Sequence, residues 1–207
     1  KNYKIDIAII ELLNCEKFIQ KFYKSLSKKL VILDDIAKKK YISDILIICQ
    51  KKKIINKNIK IFNDYKFFPL EKGYDFFLNK KILIKKKIKN ITIFLGGGFY
   101  FKEYFKIAKI LKDKEHDISF IIGQEVKKIN LDKIQNLNNN FKIYISPKNI
   151  PEIIYKSDLV ICGGGYTKIE AAYLAKPIIP VPIHRHQIEL CKRFKKEFGI
   201  NYVLKSK

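Results

Sequence analysis

The sequence is poor in several things, and each shortage narrows what the chain can be. No apolar run reaches the ~18 residues that a membrane-spanning helix needs, and residues 1–10 read as a strand, not a secretory leader. Cysteine is scarce. Cys15, Cys49, Cys162 and Cys191 show no C-x-x-C spacing, which argues against a zinc site and for a reducing cytoplasm. Arginine is scarcer still: Arg185 and Arg193 stand among 43 basic residues, which leaves 43 − 2 = 41 lysines. A dedicated nucleic-acid binder leans on arginine for bidentate contacts. The net charge of +23 is therefore read as a solvated surface, with no specific nucleic-acid partner expected. A basic face would still favour peripheral contact with an anionic membrane from the cytoplasmic side. The chain does not begin with methionine, and upstream residues are expected.

What is present is periodic apolar sequence. With 207 residues and 47% hydrophobic content, the chain allows one domain or two small ones with a real core. Residues 4–10, 30–33 and 44–49 read as strands that are apolar at nearly every position, as in a parallel sheet covered on both faces. Residues 15–28 place Phe18, Ile19, Phe22 and Leu26 at helical spacing. Asp34 and Asp35 follow a strand and either cap a turn or meet a ligand, the cap being favoured. Between residues 50 and 89 the pattern weakens. Phe67, Phe68, Pro69 and Leu70 with Gly73 and Tyr74 read as a packed loop between domains.

From residue 90 the α/β rhythm restarts. Strand 90–95 ends in Gly96, Gly97 and Gly98, and helix 100–112 follows. Strand 117–122, helix 131–137, strand 141–145, a loop at 147–150 and a helix at 151–157 come next. Residues 158–187, DLVICGGGYTKIEAAYLAKPIIPVPIHRHQ, organise the rest. A strand at 159–162 runs into a second triple glycine, Gly163, Gly164 and Gly165. A helix at 167–174 is stopped by Lys176-Pro177, and a strand at 178–181 follows. A helix at 188–198 and a short strand at 202–204 close the chain. Glycines after a strand let backbone N–H groups lie against a ligand, and a following helix start favours an anion. Thr167 adds a hydroxyl there. Glu170 is suited to sugar hydroxyls, as the acidic residue of a dinucleotide fold is. His184, Arg185, His186 and Gln187 cluster at a strand's carboxyl end, where open α/β sheets bind ligands. A glycine run alone makes a tight turn as readily as a ligand loop; its duplication argues for the ligand loop.

The order ITIFLGGG … ISPKNIPEIIYKSDLVICGGGYTKIEAAYLAKPIIPVPIHRHQIE resembles the carboxyl-terminal domain of GT-B nucleotide-sugar enzymes of the glycosyltransferase family 28 type. The run LVILDDIAKKKYISDILIIC resembles the UDP-sugar hydrolase of the pseudaminic acid pathway and its spore-coat polysaccharide relatives. The resemblance implies an α/β, GT-B-like fold. Residues 1–80 would be the second half of an N-terminal α/β domain with the linker. Residues 81–207 would be a complete Rossmann-like nucleotide-sugar domain. It implies a UDP-sugar as partner, and neither cofactor nor metal. Gly97 and Gly98 would line the cleft near the diphosphate or the sugar, and Asn149 and Ile150 would hold the base by backbone contacts. Gly164, Gly165 and Thr167 would hold the diphosphate, and Glu170 the ribose. Arg185, His186 and Gln187 would face the leaving diphosphate or the donor sugar.

Residues 1–30 contain nothing like the family's first glycine-rich loop, so the catalytic base is expected upstream of this chain. His184 and His186 are the catalytic candidates within it. The expected reaction cleaves a nucleotide sugar at the sugar–diphosphate linkage, by glycosyl transfer or by hydrolysis, in glycan biosynthesis. The competing readings are a non-catalytic nucleotide-sugar-binding subunit, an inactive relative and, behind them, a basic nucleic-acid binder.

Overall fold

The computed structural model describes residues 5–12, 15–34, 40–51, 54, 56–78, 80, 85–98 and 100–203. The chain divides into two compact units, Lys1–Pro69 and Leu70–Lys207. The division falls ahead of the 80/81 boundary that the resemblance implies.

In the first unit, β1 (Ile5–Glu11), β2 (Ser27–Leu33), β3 (Ile45–Ile48) and β4 (Lys60–Asn63) form a parallel sheet in sequence order. The helix α1 (Lys17–Leu26) joins β1 to β2. Ala8, Ile10, Leu30, Ile32, Leu46 and Ile48 form the core. β4 was not expected. With two apolar residues between Lys60 and Asn63, this short, partly exposed edge strand has little signal. The apolar stripe of α1 is only partly buried: Ile19 packs against the core, Phe18, Phe22 and Leu26 are exposed, and Gln20 is fully buried. The Gln20 amide donates to Cys15 O at 2.9 Å and accepts from Ile42 N at 3.1 Å, which satisfies this one polar side chain inside the unit. Asp34 accepts from the Tyr41 hydroxyl; Asp35 lies outside the described residues.

In the second unit, the segment expected as an interdomain loop includes a 3-10 turn (Lys72–Tyr74) and a short helix, α2 (Asp75–Leu78). The sheet is built from β5 (Asn90–Phe94), β6 (Asp117–Ile122), β7 (Lys142–Ile145), β8 (Leu159–Gly163) and β9 (Ile178–Val181). The helices between and after these strands are α3 (Phe101–Leu111), α4 (Lys128–Gln135), α5 (Ile150–Lys156), α6 (Thr167–Tyr173) and α7 (Arg185–Phe198). All pairings are parallel, and the order is β7-β6-β5-β8-β9. The chain builds outward from β5 in one direction through β6 and β7, then returns to β5's other side with β8. That reversal is a topological switch point, and it sets the carboxyl ends of β5 and β8 side by side. The two triple glycines follow those two ends.

The core around β5 is well filled: Ile91, Ile93, Leu95, Tyr104, Ile118 and Phe120 are buried together. The Tyr104 hydroxyl donates to Ile121 O at 2.7 Å and accepts from Leu95 N at 3.0 Å, tying α3 to the strand ends below the first glycine loop. Asp158 accepts from Asn90 N at 2.8 Å and Lys89 N at 3.0 Å and pairs with Lys85 at 3.0 Å. Burial opposes ionisation of Asp158, but these N–H groups and the Lys85 ammonium outweigh it and hold the carboxyl below its usual range. The expected strand at 202–204 is not formed over 202–203, where a single bond from Val203 N reaches Pro180 O at 2.9 Å; Leu204 lies outside the described residues.

Candidate functional site

At the switch point lies a cavity of about 300 Å³. Gly96 and Gly97 from the first glycine loop and Gly165 from the second line it, with Tyr100, Thr167, Glu170 and Gln187. The second loop needs glycine for space. A Cβ on Gly163 would sit 2.3 Å from the carbonyl oxygen of Leu95, so a side chain there would push the β5 and β8 ends apart. Gly96 is held at φ 114°, a conformation open to glycine at little cost.

Five of the expected site residues thus meet in one cavity: Gly97, Gly165, Thr167, Glu170 and Gln187. Thr167 is the first residue of α6 and is buried. Glu170, one turn on, is partly buried. Burial pushes its carboxyl up to about 7; the hydrogen bond from Tyr74 opposes the rise, and the Glu71 charge adds to it. Tyr74 is itself buried against Tyr173, and burial together with the Glu170 charge pushes its phenol up.

Gln187 is oriented by the backbone before it. Its Oε1 accepts from Ile183 N at 2.7 Å and His184 N at 3.4 Å. That leaves Nε2 as the donor end, beside Gly165 on the cavity side. The four residues expected as a cluster at the strand's carboxyl end, ahead of a helix at 188, are themselves the helix start: His184 is the N-cap of α7, and Arg185, His186 and Gln187 form its first turn. The polar run disguised the helix, because first turns are solvated and lack intrahelical partners for their N–H groups.

The other expected residues lie outside this lining. Gly98 is adjacent: a Cβ there would meet the Tyr100 hydroxyl at 2.7 Å. Gly164 is buried against α7, with Pro182 and the Cys191 sulfur each 2.9 Å from a Cβ placed on it. Its glycine requirement is one of packing. His184 is exposed and reaches the cavity wall through Tyr100, whose hydroxyl is 3.2 Å from Nε2. The His186 ring stacks on His184 at 5.6 Å and 10°, and Arg185 is exposed. Asn149 and Ile150 are not brought to this cavity. Asn149 lines two others, of about 470 and 420 Å³. The larger holds Phe76, Phe77, Tyr155 and Lys148, with neither triple-glycine loop in its wall.

Two participants were not anticipated. Tyr100 lines the cavity and carries His184. Lys168 is 3% exposed, and its ammonium donates to the carbonyl oxygens of Gly164 at 2.9 Å and Gly165 at 2.7 Å. With 41 lysines in the chain, composition could not single it out. Its position three and four residues after those glycines, one helical turn away, was the available signal.

Among the described residues no group of three or more His, Cys, Asp or Glu could hold a metal ion. No described helix is long and apolar enough to cross a membrane.

These features define an open parallel α/β domain with a cavity between glycine loops at the switch point. The sequence of residues 92–207, more than half of the chain, matches the glycosyltransferase family 28 C-terminal domain, and the chain belongs to that family. Among solved structures, the crystal structure of Acinetobacter baumannii MurG is similar with a TM-score of 0.60 at 16% identity, over 96% of this chain and 59% of that one. At that identity the likeness is one of fold. The uncharacterized protein MJ1062 of Methanocaldococcus jannaschii is 28% identical over 204 residues, covering 86% of this chain and 40% of the relative. The chain spans less than two thirds of the length of either.

Proposed function

We propose that this chain carries the donor site of a nucleotide-sugar enzyme of the glycosyltransferase type, with a UDP-sugar as ligand. The supporting observation is the switch-point cavity, where both glycine loops, Thr167, Glu170 and Gln187 converge. In this reading the diphosphate lies against the loops of Gly97 and Gly165, with the Thr167 hydroxyl as a further donor. Glu170, when ionised, accepts from the ribose hydroxyls. The base is assigned to the backbone of Asn149 and Ile150 at the start of α5. The sugar faces Gln187, with His184 and His186 beyond Tyr100.

In the reaction, an acceptor oxygen attacks the anomeric carbon and the bond to the diphosphate oxygen breaks. The diphosphate leaves with the electron pair, and backbone N–H groups held in place before the reaction stabilise its charge. The acceptor proton goes to a base, for which His184 and His186 are the candidates in this chain. A hydroxyl acceptor gives transfer, as in glycan biosynthesis; water gives hydrolysis.

Calorimetric titration with UDP and UDP-sugars tests the site. At a hundredfold excess over Kd, bound ligand stabilises the fold by about 2.7 kcal/mol. A chain that UDP and UDP-sugars leave unstabilised, but RNA stabilises, would overturn the reading.

A further inference from the structure

Lys168 has no part in the sequence-based site, yet its surroundings are built. The ammonium is buried within the second unit and donates to two successive carbonyls of the second glycine loop, Gly164 at 2.9 Å and Gly165 at 2.7 Å. The Phe194 ring of α7 lies under it, 5.5 Å from the nitrogen to the ring centroid. Gly164 O also takes the Cys191 thiol at 3.8 Å. In a trans peptide the carbonyl and the N–H lie in one plane and point in opposite directions. Anchoring Gly164 O therefore turns the Gly165 N–H away from the ammonium, and Gly165 lines the cavity.

We infer that Lys168 is a positioning residue for the diphosphate: it fixes the second glycine loop from behind, so that the loop presents N–H groups to the ligand, and it places a positive charge beneath them. This rests on the donor-site reading above. Lys168 does not touch the ligand. It acts through peptide groups whose carbonyl ends it polarises, and a carbonyl bound to a cation leaves its own peptide N–H a better donor. A nucleoside that lacks phosphates does not use those donors, so the effect is confined to the diphosphate.

The test compares UDP, by calorimetry, with uridine, by NMR titration, in the wild type and in Lys168→Met, with thermal melts of both. The expected result is a loss of about tenfold or more in UDP affinity with uridine affinity unchanged, and recovery of most of the UDP affinity in Lys168→Arg. If Lys168→Met does not fold, Lys168→Gln, which keeps one donor group, replaces it, and a selective loss for UDP is again expected. Equal losses for UDP and uridine, or no loss for either, would overturn the inference. A wild-type chain that binds neither would instead remove the donor-site reading itself.

Discussion

The two units are built on the same plan and differ at the ends of their strands. Each is a parallel sheet with buried strands of Ile, Leu and Val. In the first the strand order follows the sequence, β1-β2-β3-β4; in the second it reverses at β5 and β8. All nine glycines of the chain lie at Gly73 or beyond, so residues 1–69 contain none. Where β2 ends, Asp34 takes the Tyr41 hydroxyl; where β3 ends, the buried Cys49 thiol reaches Phe67 O at 3.6 Å. Those turns are closed with side chains. Where β5 and β8 end, the backbone is bare and faces a cavity. A parallel sheet supplies the scaffold in both; the proposed site adds the reversal and loops without side chains.

The strongest way to break this contrast is to put a side chain where the second sheet has none. Gly163→Ala drives a Cβ against Leu95 O, and denaturant melts should show a loss of about 3 kcal/mol. A variant as stable as wild type would mean that the strand ends are not as closely joined as described.

Glu170→Gln should next reduce UDP affinity by about 1.5–3 kcal/mol, the worth of hydrogen bonds to a charged group. Wild-type affinity should rise as pH climbs through about 7, where the carboxylate forms, and the variant should lose that dependence. The unliganded fold has the opposite slope. The Glu170 carboxyl lies above its ordinary 4.5, so its contribution to stability is complete below about 4.5 and is lost as pH rises through about 7. Asp158, held low, contributes above its ordinary 3.8 and loses that contribution as pH falls further.

Gly97→Ala sharpens the contrast from the other side. Nothing lies within 4 Å of a Cβ there, so stability should change by less than about 0.5 kcal/mol. The added methyl faces the cavity, and UDP affinity should fall by about three- to tenfold. The smallest effect belongs to the first unit. Ile7 on β1 is 58% exposed, and Ile7→Lys should leave stability within about 0.5 kcal/mol and UDP affinity untouched, as equilibrium melts and titration would show.

Much of the second unit was legible because glycine and proline punctuate it. The limits of β6 and β9 were read to the residue, and β8, α6 and α5 to within one residue. Lysine made the rest hard to read. It opens β4, which has only two apolar residues in a stretch where the pattern weakens, and it hid Lys168 among dozens of other lysines. The stripe on α1 was only part of the answer: Ile19 packs against the core, Phe18 and Phe22 do not, and the buried Gln20 is held by backbone partners that periodicity does not report. The convergence of both glycine loops with Glu170 was anticipated from the sequence. The α7 start was not, since a polar first turn and a loop have the same composition.

A crystal structure of the chain with UDP tests the central claim most directly. The account predicts the diphosphate between the loops of Gly97 and Gly165, with the ribose on Glu170. UDP seated instead in the cavity of Phe76, Phe77 and Tyr155, with the glycine loops vacant, would contradict it.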